Sequence, residues 1–165
     1  MMEAYMKYKL AVLAVLATAA SPVFAVGDAV KGEAGFKQCQ TCHAVIDDAG
    51  VVLAGKGKIG PNLYGLFGRQ IGSLEGFKYG ESIVAVGATG LVWEETNFIA
   101  YVQDPAAYLK EALADKGAKS KMAFKVKTPE LAADLYAYLA QFSPAPAAAA
   151  DGTAPAADGA ATTTP

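Results

Sequence analysis

Apolar residues recur at helical spacing in five stretches of the chain. Residues 29–40 follow Asp28, whose carboxylate suits a helix N-cap, and offer Val30 and Phe36 as buried positions. Residues 81–86 suit a short helical piece. In 93–103, Phe98, Ile99 and Val102 lie near one face. Asp104-Pro105 then restarts a helix, with Asp at the cap and Pro in the first turn, and Tyr108, Leu109 and Leu113 form its apolar side. A last helix opens at Thr128-Pro129-Glu130, carries the stripe Leu131, Leu135, Tyr138 and Leu139, and ends before Pro144 and Pro146. Between these stretches, 44–78 is rich in glycine, holds Pro61, and reads as irregular loop, while 114–127 is lysine-rich and loop-like. No alternating run is long enough to build a sheet. The pattern predicts an all-α fold of a few helices joined by large loops.

The two ends stand apart from this pattern. Lys7 and Lys9 precede an apolar run over 10–20, followed by Ser21-Pro22 and then Val23-Phe24-Ala25. Positive, apolar, then small is the order of a secretory leader. The run of about 11 residues is too short to span a bilayer, which needs roughly 20. The sequence thus predicts a signal peptide at 1–25, cut after Ala25, and export to the periplasm. Residues 144–165 are mostly Ala, Pro, Thr, Gly and Asp, and no large apolar side chain follows Phe142. Such a tail cannot bury enough surface to offset its ordering entropy, and is expected to be disordered. One domain remains, 26–143, long enough for a single modest core.

Composition narrows the chemistry. The 165 residues are 53% hydrophobic and 18% charged, with a formal net charge of −2, which argues against a general nucleic-acid binder. The chain has 2 cysteines, 1 histidine and 1 tryptophan, so neither a disulfide-rich scaffold nor a metal site built from several Cys and His is possible.

Both cysteines and the single histidine sit together in Cys39-Gln40-Thr41-Cys42-His43. This C-x-x-C-H spacing lets two thiols add to the two vinyl groups of one haem, with the adjacent histidine placed as an iron ligand. Covalent attachment also prevents loss of the cofactor outside the cell. A thioredoxin-like C-x-x-C needs a βαβ setting that the pattern lacks. A zinc site would need a fourth ligand beyond Cys39, Cys42 and His43. A plain disulfide would be strained and would leave His43 unexplained.

A second axial ligand follows by elimination. No other histidine exists, and of the 4 methionines, Met1, Met2 and Met6 lie in the predicted leader. Met122 remains, in a polar, loop-like context unlike that of a core-filling methionine. An open iron site and a lysine such as Lys121 are the alternatives. A neutral thioether favours Fe(II), so His/Met ligation raises the potential.

Taken together, the sequence resembles a class I cytochrome c, above all the periplasmic cytochrome c2 group of bacteria. The resemblance spans about residues 27–142. It rests on Gly32-x-x-x-Phe36, Cys39 to His43, Gly60-Pro61-Asn62-Leu63, Gly65-Leu66-Phe67-Gly68-Arg69, Phe77-Lys78-Tyr79, Trp93, Tyr101, Lys121-Met122-x-Phe124 and Leu135-x-x-Tyr138-Leu139. It implies a class I cytochrome c fold wrapped round one covalently bound haem c. Gly32 and Phe36 match the crossing of the first and last helices, against Leu135 and Tyr138. Pro61 matches the residue whose carbonyl accepts the His43 ring proton, and Arg69, Tyr79, Trp93 and Ser120 match donors to a buried haem propionate. Tyr101 matches the tyrosine beside the methionine sulfur, and Phe124 the aromatic at the haem edge. Two departures stand out. Ser120 replaces a threonine, and the stretches 45–58 and 80–92 are longer than in the mitochondrial proteins.

The resemblance implies a soluble periplasmic one-electron carrier, not an enzyme. It would link a cytochrome bc complex to a cytochrome oxidase, a photosynthetic reaction centre or periplasmic reductases, acting as a monomer. Six lysines between 110 and 127 face only Glu111 and Asp115 in that stretch. With Met122 on the iron, Lys119, Lys121 and Lys125 would flank the haem edge, and Lys37, Lys56 and Lys58 would extend the ring toward acidic partners. The competing readings are a haem peroxidase or small-gas binder with an open iron, and a colourless thiol or zinc module. The first lacks a second histidine to serve as a distal acid or base. Carbon monoxide binding to the reduced form separates carrier from gas binder.

Overall fold

The computed structural model describes residues 27–143. The leader expected at 1–25 and the tail at 144–165 lie outside the described residues. Five helices and one small hairpin follow in the order α1 (Ala29–Phe36), β1 (Ala44–Ile46), β2 (Val52–Gly55), α2 (Glu81–Gly87), α3 (Glu95–Gln103), α4 (Pro105–Ala112) and α5 (Pro129–Ala140). Among the described residues, no helix is long and apolar enough to cross a membrane.

The frame is the crossing of α1 and α5, the most extensive helix contact among the described residues. Asp28 caps α1 through hydrogen bonds from the Val30 and Lys31 N–H groups (2.9 and 3.2 Å), and its own N–H donates to the Asp134 carboxylate on α5 (2.7 Å). Gly32, Gly35 and Phe36 are the buried face of α1. A Cβ at Gly32 would run into the Asp134 carbonyl and the Tyr138 Cβ, and one at Gly35 would press on Leu131 Cδ1. The helices therefore touch backbone to backbone, with the Phe36 and Tyr138 rings tilted against each other, centroids 5.4 Å apart, beside the contact. Val30, expected in the core, is 77% exposed. It is offset from Gly32, Gly35 and Phe36 around the helix and so faces outward. The helix also ends at Phe36, earlier than expected. Beyond it the backbone tightens into i→i+3 bonds, Gln38 N–H to Gly35 O and Cys39 N–H to Phe36 O, and carries the cysteines in a turn.

The hairpin corrects the expectation of no sheet. Ala44, Val45 and Ile46 pair antiparallel with Gly55, Ala54 and Val52, with a bulge between Val45 and Ile46. β-Branched residues on both arms favour the pleat. Asp47 builds the turn by accepting from the Ala49 and Val51 N–H groups (3.0 and 2.8 Å), and Gly50 supplies φ 81°. A three-residue arm is too short to show as alternation.

α3 begins two residues after Trp93. Its start is a capping box in which the Asn97 side chain accepts the Glu94 N–H at 3.0 Å, leaving Trp93 in an extended strip. That strip is fixed by backbone bonds from Gly68 N–H to Trp93 O and from Trp93 N–H to Arg69 O, both 2.9 Å. Asp104 caps α4 through the Ala107 N–H (3.1 Å) and holds the Lys125 ammonium at 2.7 Å. Thr128 caps α5, and Leu135, Tyr138 and Leu139 of the expected stripe are buried.

The Asp104–Lys125 pair makes stability depend on pH. The Lys125 hydrogen bond first, and the Ala107 N–H next, hold the Asp104 carboxyl below its ordinary value of 3.8. A carboxylate with a lowered folded pKa stabilises above its unfolded value, and that contribution is lost as pH falls through the folded one. Urea midpoints of wild type and Asp104→Asn should therefore differ at neutral pH and converge in acid. A gap that persists unchanged to about pH 2 would contradict this.

Candidate functional site

The C-x-x-C-H turn follows α1 directly, and its backbone continues helical bonding, with His43 N–H donating to Cys39 O at 2.9 Å. Cys39 and Cys42 are free, half-buried thiols. Burial, with the neighbouring Cys42 adding, pushes the Cys39 thiol up to about 11. The His43 ring is also half-buried. Its Nδ1 lies 2.9 Å from the Pro61 carbonyl, which can only accept, so Nδ1 carries the proton and Nε2 keeps its lone pair. Burial lowers the His43 pKa, against the opposing pull of the Pro61 carbonyl, and keeps the ring neutral. A neutral imidazole with a fixed tautomer is the form that binds a metal.

Glycines make this packing possible. A Cβ on Gly60 would overlap the His43 ring itself, and one on Gly57 would overlap the Cys42–His43 peptide. The Gly60-Pro61-Asn62-Leu63 run is in turn fixed to β1. Asn62 Oδ1 accepts from Ile46 N–H (2.9 Å) and Tyr64 N–H (3.1 Å), while Asn62 Nδ2 donates to Ile46 O (2.7 Å). Asn62 was part of the motif but had no assigned role. Its work depends on the hairpin, which the pattern did not reveal.

The structure brings together the polar groups expected around a buried carboxylate. Arg69 is half-buried, donating from Nη1 to Tyr64 O (3.1 Å) and from Nη2 to Asn62 O (3.2 Å). Burial lowers its pKa, while the neighbouring Tyr79 raises it. Tyr101 is buried, with Trp93 at 5.1 Å and Tyr108 at 5.7 Å, both edge-on. Its phenol is pushed up mainly by burial, with Ser120 close enough to oppose and Tyr79 close enough to add. Arg69, Tyr79, Tyr101, Ser120 and Trp93 are thus linked neighbours, although four of them lie outside helices and strands, far apart in sequence.

Met122 is half-buried against the core, and its N–H donates to Ser120 Oγ at 3.1 Å. Ala118 and Val126, both buried, bracket its segment. Phe124 is 42% exposed. Lys37, Lys56, Lys58, Lys119, Lys121 and Lys125 are all exposed. Lys56 and Lys58 flank Gly57 and so stand beside the C-x-x-C-H turn. Lys121 Nζ donates to Lys78 O at 2.9 Å, and Lys125 is tied to Asp104, two anchors that the sequence did not suggest. Among the described residues, no group of three or more Cys, His, Asp or Glu is arranged to hold a metal ion, so a zinc site lacks its ligand set.

The donors fit a covalently held haem: two free thiols in one turn, a neutral imidazole, a thioether, and a partly buried cluster of donors for a carboxylate. Fold and site together define a c-type cytochrome. No family model matches the chain. Cytochrome c2 of Rhodovulum adriaticum is 52% identical over 115 residues, covering 69% of this chain and 91% of that protein. Cytochrome c-551 of Roseobacter denitrificans is 47% identical over 134 residues, covering 81% and 94%. The X-ray structure of cytochrome c2 from Rhodobacter sphaeroides matches with a TM-score of 0.69 at 49% identity, covering 71% of this chain and 97% of that one. The chain belongs to the cytochrome c2 family. It is an electron carrier with one covalently bound haem c, not an enzyme, and carriers of this family serve membrane redox complexes.

Proposed function

We propose that Cys39 and Cys42 hold the haem, that His43 and Met122 are its axial ligands, and that the protein shuttles single electrons in the periplasm. The observation that carries this reading is the His43 Nδ1–Pro61 O hydrogen bond, which leaves Nε2 as a neutral donor beside the two thiols. Bound haem supplies an iron that cycles between Fe(II) and Fe(III). The protein's part is to keep both ligands in place through that cycle. His43 is held by Gly60 packed on its ring and by Pro61, while Met122 is held by its short loop and the core. With His43 and Met122 both on the iron, no position would be open for oxygen or peroxide, which disfavours the peroxidase and gas-binding readings. Arg69, Tyr79, Trp93 and Ser120 offer donors to a propionate, whose burial needs several partners. Tyr101 lies in the same cluster, next to Ser120 on the Met122 segment. Phe124, exposed two residues from Met122, marks the face where electrons enter and leave.

Export follows from the leader, with cleavage near Ala25. Electrons pass from a cytochrome bc complex to an oxidase, a reaction centre or periplasmic reductases. Docking uses two groups of lysines. Lys37, Lys56 and Lys58 surround the C-x-x-C-H turn, and Lys119, Lys121 and Lys125 surround Met122. The anchoring of Lys121 and Lys125 presents their charge in fixed positions. Against a net charge of −2, this basic side gives a dipole that orients the molecule toward acidic partners. Stopped-flow electron transfer with an acidic redox partner should slow by roughly tenfold or more from low to high ionic strength. A flat rate would refute the docking face.

A further inference from the structure

The Met122 segment is fastened at both ends by groups outside it. At its start, Lys119 N–H donates to Ser82 Oγ on α2 at 3.0 Å, and Lys121 Nζ reaches Lys78 O while its stem lies over Gly80. At its end, Val126 N–H donates to Val102 O at 2.8 Å, and Lys125 Nζ binds the Asp104 carboxylate at 2.7 Å. Residues 120–124 span the interval, where Met122 N–H donates to Ser120 Oγ and Lys121 reaches back to Lys78 O. The Ser82 hydroxyl is the only side-chain acceptor that α2 offers this segment among the described residues.

We propose that Ser82 and Asp104 are positioning residues that set how often the Met122 segment opens, and hence how readily outside ligands replace the thioether. The inference rests on the reading of Met122 as a ligand. Opening requires the Lys119 N–H and the Lys125 ammonium to leave their partners. The side chain at Ser82 therefore controls one end and that at Asp104 the other. Neither touches the C-x-x-C-H turn or its donors. Replacing Asp104 with asparagine keeps an oxygen for the Ala107 N–H, so α4 stays capped while the charge that holds Lys125 is removed.

The test uses the ferric holoprotein, Ser82→Ala, Asp104→Asn and the double variant. The first readout is amide hydrogen exchange at Lys119, Met122 and Val126. The second is imidazole binding followed by loss of the far-red sulfur-to-iron band. Each single variant should speed exchange in this segment, and tighten imidazole binding, by about fivefold, the factor for one lost net hydrogen bond. Amides of α1 and α5, which open only with the whole fold, should speed up by no more than those of the segment, because losing a native interaction also lowers overall stability. Unaltered exchange and imidazole affinity, with the far-red band intact, would overturn the fastening while leaving Met122 as ligand. Absence of the band in the unaltered protein would overturn the ligand reading, independently of the exchange data. A variant whose α1 and α5 amides speed up while those of the segment do not reports general destabilisation and counts against a positioning role.

Discussion

Gly32→Val should be among the most damaging single substitutions in the chain. Any Cβ at position 32 meets the Asp134 carbonyl of α5 and the Tyr138 Cβ, and a carbonyl in a helix cannot swing aside as a flexible side chain can. Alanine in place of glycine would gain about 1 kcal/mol of helix propensity. Overpacking a close contact costs about 1–3 kcal/mol and occasionally more, and a Cβ this close to a rigid carbonyl falls at the high end, so the overlap wins even for alanine. Valine adds two methyl groups to the same contact. Against a total stability on the order of 5–15 kcal/mol, this removes much of the folding free energy. Val30→Ala, two residues away on the exposed face, should stay within about 0.5 kcal/mol of wild type. Urea unfolding of the two holoproteins checks both values. Equal midpoints would contradict the close α1–α5 crossing.

Met122→Ala should change the spectroscopy and redox chemistry more than any other substitution outside the C-x-x-C-H turn. Without the thioether, the ferric protein should lose its far-red band and the ferrous protein should bind carbon monoxide. The reduction potential should fall on the order of a hundred millivolts, a modest share of the roughly 0.8 V range that axial ligands command. Folding should be affected less, because Met122 is only half-buried and the segment keeps its anchors at Ala118 and Val126. Spectra, potentiometry and carbon monoxide titration of the variant measure these effects. A variant that keeps the band and the potential would show that another group occupies the sixth position.

What could be read from the sequence followed the strength of local signals. Asp28, Asp104-Pro105 and Thr128-Pro129 mark helix starts by capping chemistry that is local to a few residues, and all three cap as expected. The C-x-x-C-H run and Met122 stood out because each was the sole supply of its chemistry. Features that depend on partners distant in sequence were hidden. Val30 was placed in the core on its apolar character alone, whereas helix phase turns it to solvent. The 44–55 hairpin was missed because its arms are three and four residues long and its turn is built by Asp47 rather than by an Asn-Gly pair. The anchoring of Lys121 to Lys78 and of Lys125 to Asp104 joins segments 43 and 21 residues apart, beyond any periodicity. Gly57 reads in the sequence as a loop glycine and Gly60 as part of the Gly60-Pro61-Asn62-Leu63 motif, because the contacts of the Cys42–His43 peptide and the His43 ring against them exist only in the folded chain.

The absorption spectrum of the ferric holoprotein, extended into the far red, tests the central claim most directly. Low-spin c-type bands with a weak sulfur-to-iron band are predicted, since both axial positions would be filled by His43 and Met122. A high-spin spectrum, or a low-spin one without the far-red band, would contradict Met122 ligation and with it the closed iron site of an electron carrier.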